Sequence, residues 1–324
     1  MSTAKSPSSQ NPSPVDVRLD GQTAIVTGTS AGGLGFEAAK ELAAHGLARL
    51  ILAVRNVASR SAEAARGKSR SKIWELDYES FESMTAFAAR ARSELDRLDI
   101  VILSAGVKNL EFVRAKTGHE SSVQVNHLGT AYLSLLLLPI LRSTATHTSR
   151  PARLTIVASE VHFWTPFSER HAPSILQRLD EESSFKPGEM ERYNTSKLLN
   201  VLWTRELSSR VAEERNGSSG PAAVTINAVN PGFCASALHR SHAMPGQALI
   251  NRLLAWTPGQ GGHCLADAGC RHGDQQGAYI SEQEVKAFVT SMEGERAQKR
   301  LWDETIALFQ GVDSLFDLAN LLEA

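Results

Sequence analysis

The chain has few cysteines, almost no net charge and no long apolar run, and each shortage excludes something. Its three cysteines, Cys234, Cys264 and Cys270, are odd in number and lack the spacing of a disulfide framework, which points to a reducing compartment. Lysine and arginine total 34 against 35 acidic residues, so no basic field is present to hold nucleic acid or an anionic membrane surface. The longest nearly apolar stretch, Ala131–Leu141, covers eleven residues and contains a proline, short of the roughly 18 to 20 that cross a bilayer, so no membrane span is expected. The first seventeen residues are rich in Ser and Pro and contain no Leu, Ile or Phe. They offer no apolar signal core and read as a disordered tail, and a cytoplasmic location is the expectation.

What is present is an alternation. Short apolar runs rich in β-branched residues fall at Thr23–Thr27, Arg49–Val54, Ile73–Leu76, Asp99–Leu103, Arg153–Ala158 and Val224–Val229. Between them lie stretches with apolar residues three and four apart, at Leu34–His45, Phe81–Leu95, Ser121–Leu141 and Tyr193–Val211. Strand and helix in turn indicate an α/β fold on a parallel sheet, and nearly continuous apolar strands indicate burial by helices on both faces. A last strand is expected at Ala278–Ile280 and a last helix at Gly294–Phe309. With 324 residues, the reading is one domain over 18–324 behind the 1–17 tail, with elaborations at about 162–192 and 233–276.

The first strand runs straight into Thr27-Gly28-Thr29-Ser30-Ala31-Gly32-Gly33-Leu34-Gly35 and then a helix. Glycines let a backbone approach closely, so Gly28, Gly33 and Gly35 are candidates for turning N–H groups and a helix N-terminus toward a pyrophosphate. After strand two comes Val54-Arg55-Asn56, with no acid until Glu63. An acid there would hold a ribose 2'-hydroxyl, whereas the planar fork of Arg55 suits a 2'-phosphate, so NADP(H) is favoured. Asp77, after strand three, is a candidate for the adenine amino group or else a loop or cap residue.

Tyr193 and Lys197 lie four apart on one helix face. A carbonyl receiving a hydride needs a proton, and a nearby ammonium is expected to lower the phenol from its usual pKa of about 10 toward neutrality. Ser159 ends strand five, at the sheet edge where such folds bind ligands, and can polarise a carbonyl. Asn126 is a poor helix former, and an inward-facing amide there could hold a water in a proton relay. His263, Cys264, Cys270 and His272 are close in sequence but match no structural-zinc spacing, and no metal is expected.

Together these residues resemble the short-chain dehydrogenase/reductase family of the single-domain type. Thr27–Gly35 resembles its glycine motif, Asn126 its helix asparagine, Ser159 its catalytic serine, and Tyr193-Asn194-Thr195-Ser196-Lys197 its Tyr-x-x-x-Lys signature. Asn230-Pro231-Gly232 with Ser236 resembles its Pro-Gly turn. The Ala53-Val54-Arg55-Asn56 turn, Tyr193–Asn200 and Gly277–Ser281 are similar to the retinol-dehydrogenase-like branch and to fungal secondary-metabolism ketoreductases. The resemblance implies a three-layer, Rossmann-type doubly wound sheet of strand order 3-2-1-4-5-6-7. It implies catalysis by Asn126, Ser159, Tyr193 and Lys197. It also implies an NADP(H) site of Gly28, Ser30, Gly33, Leu34, Gly35, Arg55, Asp77, Ala105, Gly106, Asn126, Tyr193, Lys197, Pro231, Gly232 and Ser236. Two departures stand out: the glycine loop is one residue longer than usual, and Ser104 replaces an asparagine that braces strand four.

The expected chemistry is NADPH-dependent reduction of a carbonyl on a bulky hydrophobic substrate, such as a polyketide intermediate, with Tyr193 as proton donor. Apolar residues after Phe233, among them Leu238, Met244, Leu253 and Trp256, suggest a lid over such a substrate, with the glycines of Gly259–Gly262 as its hinge. Oxidation of a steroid- or retinoid-like alcohol, or NADP(H) sensing without turnover, are the alternatives. The partner is then a small hydrophobic carbonyl or alcohol, and a homodimer is left open.

Overall fold

The structure, a computed structural model, describes residues 11–57, 71–213, 224–235, 255–286, 291–314 and 316–323. Its strands are β1 (Thr23–Thr27), β2 (Arg49–Val54), β3 (Ser71–Glu75), β4 (Ile100–Leu103), β5 (Ala152–Val157), β6 (Val224–Asn230), β7 (Tyr279–Ser281) and β8 (Glu284–Lys286). They form one sheet in the order β3-β2-β1-β4-β5-β6-β7-β8, parallel except for the β7–β8 pair. The order through β7 is the expected one. The added β8 closes a hairpin whose turn residues, Glu282 and Gln283, both take positive φ, the conformation that a two-residue hairpin turn demands. All three β8 residues are exposed, so no apolar period announced the strand.

The alternation of side chains within each strand explains the two helical layers. Ala24 and Val26 of β1 pack with Ala38 and Leu42 of α1 (Leu34–Ala44), while Ile25 between them joins the opposite core. That larger core holds α2 (Phe81–Glu94), α3 (Ser121–Thr148) and α4 (Glu191–Glu213). Further along the chain, α5 (Pro258–Cys270) lies against α1 and α6 (Met292–Val312) against α4, where Trp203 and Trp302 stack at 4.5 Å. By length and composition α3 could cross a membrane, although no single stretch of its sequence suggested so; most of it is buried inside the fold, as suits a core helix.

Two expectations about the chain's borders change. Residues 11–17 are not a loose tail: Val15 is 2% exposed and its N–H donates to Glu41 Oε1 at 2.7 Å. Ser13 pairs twice with Gln283, at 2.9 and 2.8 Å. One apolar side chain and a buried carboxylate are enough to dock a segment whose composition is otherwise that of a tail. The glycines of Gly259–Gly262 are not a hinge either, because they lie in the first turns of α5, which opens with a Thr257–Gln260 capping box and Pro258. A Cβ on Gly261 would stand 2.7 Å from Leu34 Cδ2, and one on Gly262 2.7 Å from Glu37 Cβ. Their smallness lets α5 approach α1. The rest of that expected lid, residues 236–254 with Ser236, lies outside the described residues.

The 162–192 segment folds as short 3-10 turns around the helix Ile175–Leu179. Phe167 and Ile175 are buried in the main core, whereas Trp164 is 56% exposed.

Candidate active site

The glycine loop is shaped by contact with the turn after β4. Gly28 has φ +67°, and a Cβ there would lie 2.7 Å from Ser104 O and Ala105 N, so any side chain would clash while adopting a disfavoured backbone. Gly35 is equally confined, 2.8 Å from Thr27 O. Thr27 Oγ1 accepts from the Ser104 and Ala105 N–H groups at 3.0 and 3.2 Å and bonds the Tyr78 hydroxyl at 2.9 Å. Bracing of the turn after strand four thus falls to Thr27, which Tyr78 in turn holds. Of the two middle glycines, Gly32 supplies the positive φ of +74°, and Gly33 is the N-cap of α1, with no side chain capping the helix. Ser30 O accepts from Gly33 N at 2.8 Å. An N-terminus left open by a glycine cap, behind a loop that tolerates no side chain, fits a pyrophosphate. The residues present therefore suit a dinucleotide, with Ser30, Leu34 and Gly35 along the cradle.

The remaining cofactor candidates sit at neighbouring strand ends. Thr27 of β1 pairs with Ala53 of β2, so exposed Arg55 emerges beside the loop. Asp77 follows β3; its Oδ1 accepts from Glu79 N at 3.0 Å, and Lys116 Nζ lies 3.5 Å from Oδ2, which is the loop-residue alternative. Pro231 and Gly232 follow β6, and Gly232, with φ +78°, donates to Asn230 Oδ1 at 3.1 Å.

Four elements meet at Gly106. A Cβ on it would stand 3.2 Å from Asn126 Oδ1 and 3.6 Å from Lys197 Nζ. Lys197 Nζ donates to Val157 O, the last carbonyl of β5, at 3.0 Å, and Asn200 Nδ2 reaches the same oxygen at 3.4 Å. Tyr193 is one turn back on α4, with the Lys197 nitrogen 5.8 Å from its ring centroid. Ser159, two residues past β5, is half-buried; its Oγ accepts from Val161 N at 3.5 Å. The Asn126 amide is engaged on both sides: Oδ1 accepts from Val107 N at 2.8 Å, and Nδ2 donates to Val107 O at 2.9 Å and to Ser196 Oγ at 2.8 Å. It is a brace between α3 and α4 here, rather than an open water holder. Asn126 lies in a π-helical stretch of α3, Gln124–Leu128, a distortion that often accompanies functional positions.

Burial governs the protons. It raises the Tyr193 phenol well above its ordinary value and pushes Lys197 down to about 8. The expected lowering of the phenol is therefore outweighed, since desolvation penalises the charged form of both groups. Tyr193 holds its proton at neutral pH, which suits a donor.

Residues to which the motifs gave no role complete the site: Thr27, Ser196 and Asn200 inside quoted stretches, and Tyr78 outside them. Their signal was only that polar groups occur where apolar ones would pack. His263 pairs with Glu41 at 2.5 Å and His272 with Asp267 at 2.7 Å, while Cys264 and Cys270 are buried thiols.

Comparison with known proteins agrees with this architecture. Residues 22–161 match the short chain dehydrogenase family. The chain is 61% identical over 280 residues to short chain dehydrogenase sol3 of Alternaria solani, covering 85% of this chain and 94% of that one. It is 37% identical to a short chain dehydrogenase/reductase of Cryptosporiopsis, covering 91% and 94%. The chain belongs to the short-chain dehydrogenase family and is an oxidoreductase. Among solved structures, an NADPH-bound carbonyl reductase from chicken fatty liver aligns with TM-score 0.63 at 16% identity, covering 84% of this chain and 96% of that one. An NADP complex of RhlG from Pseudomonas aeruginosa aligns with TM-score 0.60 at 22% identity, covering 82% and 95%. Both share its Rossmann-type fold.

Proposed function

We propose that this chain reduces a carbonyl on a bulky hydrophobic substrate with NADPH, and that the substrate is a secondary-metabolite intermediate. The observation that carries the reading is the buried, protonated Tyr193 one helical turn from Lys197. Tyr193 gives its proton to the carbonyl oxygen, and Ser159 steadies that oxygen by donating a hydrogen bond. Lys197, held by Val157 O, stabilises the phenolate that remains and would hold a ribose hydroxyl. Asn126 keeps α3 and α4 at the separation this requires. When bound, the nicotinamide cofactor supplies the hydride. Gly28, Ser30, Gly33, Leu34 and Gly35 would hold its pyrophosphate, Arg55 its 2'-phosphate, Asp77 its adenine, and Ala105, Gly106, Pro231, Gly232 and Ser236 its ribose and nicotinamide.

Support for NADPH comes from Arg55 and from the NADP(H)-bound fold relatives. Support for secondary metabolism comes from its fungal relatives, and support for reduction from burial keeping the Tyr193 phenol protonated at neutral pH, the state in which it can give a proton. Incubating the protein with NADPH or NADH and a panel of bulky aromatic and polyketide-like ketones, with products identified by mass, tests the reading. Alcohol formation with NADPH is expected. Turnover only with NADH, or only from alcohols with NADP, would overturn it.

A further inference from the structure

The residue before Tyr193 is a buried arginine, and the chemistry above gives it no task. Arg192 is 3% exposed. One guanidinium nitrogen donates to Leu179 O and the other to Ser184 Oγ at 2.8 Å, so it grips both ends of a stretch of the 162–192 segment. The group lies 5.6 Å above the Phe185 ring, and Glu169 Oε1 is 3.9 Å from Nη2. A third piece of chain is tied to the same stretch: Glu120, wholly buried at the start of α3, binds Asp180, the residue after Leu179. Glu120 caps α3, accepting from Val123 N at 2.9 Å, and its own N–H donates to Asp180 Oδ1 at 2.8 Å. Asn126 lies further along that same helix.

Glu120 Oε1 and Glu169 Oε2 are both buried without a hydrogen-bond partner. Burial pushes the Glu120 carboxyl above its usual range, and a cation nearby offsets part of the cost of burying such acids. We infer that Arg192 is a positioning residue, a clasp that sets the start of the Tyr193 helix against the start of the Asn126 helix and against the 162–192 segment. The inference rests on the reading of Tyr193 as proton donor. Its logic is mechanical. Near the site, α3 and α4 are joined by the Asn126–Ser196 bond, and the clasp joins them a turn or two earlier through the 179–184 stretch and Asp180. Without it, α4 loses its hold on Leu179 and Ser184, and with them on Asp180 and the Glu120 end of α3, tilting Tyr193 relative to Asn126. A lysine keeps the charge but not the planar fork that reaches two acceptors at once.

Arg192→Gly, with and without added guanidinium, and Arg192→Lys test this. The readouts are kcat, KM, NADPH affinity by fluorescence, melting temperature, and hydrogen exchange at 121–126 and 193–196. Misplacing the donor by an ångström costs about a hundredfold, so Arg192→Gly should lose about that in kcat while NADPH affinity holds. Guanidinium should restore kcat and protection together, and Arg192→Lys should fold but stay well below wild type. Wild-type kcat in either variant would overturn the clasp. So would a guanidinium effect on melting temperature without recovery of kcat. If wild type turns over no ketone, the hydride-transfer reading fails separately, and exchange alone judges the clasp: guanidinium-reversible opening of both helix starts supports it, and unchanged exchange refutes it.

Discussion

The nucleotide half of the molecule and the catalytic half are built by different means. Around β1–β3 the site is main chain: Gly28 and Gly35 fit because they have no side chain, and α1 opens uncapped. Its one charged candidate, Arg55, stands in solvent. Around β4–β6 the site is side chain, and buried: Asn126, Ser196, Lys197 and Arg192 are all less than a tenth exposed and hydrogen-bonded to one another's elements. A site made of backbone loses function gradually when a peripheral side chain changes. One made of interlocked buried groups should fail nearly all at once.

The largest effect is therefore expected at Tyr193. Positioned proton donors contribute about a hundred- to ten-thousandfold, and Tyr193→Phe should lose at least that in kcat while cofactor affinity hardly changes. Near-normal turnover in the variant would mean another acid does the work. The same half should carry a pH signature. Lys197 titrates near 8 in the folded protein, below its ordinary 10.5. The unfolded chain therefore binds more protons between about 8 and 10.5, and this group's contribution to stability rises with pH across that window. Activity should do the opposite, falling above about pH 8 as the ammonium is lost. Stopped-flow turnover and melting curves over the same pH range would reveal the opposed slopes; kcat flat to pH 10 would deny Lys197 its role.

A smaller, graded effect is expected in the nucleotide half. Arg55→Ala removes a charge-assisted contact from an otherwise intact cradle, and NADPH affinity should fall by about ten- to a hundredfold with NADH affinity unchanged. Binding titrations with both cofactors measure it. Equal losses for both would mean that Arg55 does not reach the 2'-phosphate.

Legibility in the sequence followed the same division. Strands buried on both faces are unbroken apolar runs, so β1 to β7 were found within a residue or two, and glycines in a strand-to-helix turn have a local reason to be there. The Tyr193 and Lys197 pair was legible because both lie on one helix. Long-range compensation was not. Nothing in Glu120, Glu169 or Arg192 taken singly distinguishes a clasp from three surface charges, because their meaning depends on a fold that brings residues seventy apart together. Burial was equally invisible, so the Lys197 charge was expected to dominate the Tyr193 proton when desolvation does. The glycines of α5 were misread because a close helix crossing and a hinge call for the same residue.

Residues 11–17 offer the mildest test, and they belong to neither half. Their composition reads as a tail, yet Val15 is buried among Leu19, Leu47 and the outer layer, and Glu41 is shared between Val15 N and His263. Val15→Ala deletes two methyl groups at about 0.8 kcal/mol each, so stability should fall by about 1.5 kcal/mol. The site lies on the far side of α1 from the Tyr193 helix, and kcat and cofactor affinity should not change. The cost should also vanish in the background of Glu41→Ala, if losing the carboxylate already releases the segment and leaves Val15 nothing to lose, which a double-mutant cycle by urea denaturation can measure. A stability loss of the same size in both backgrounds would mean that Val15 packs independently of Glu41. No loss in either would return residues 11–17 to the tail their composition describes.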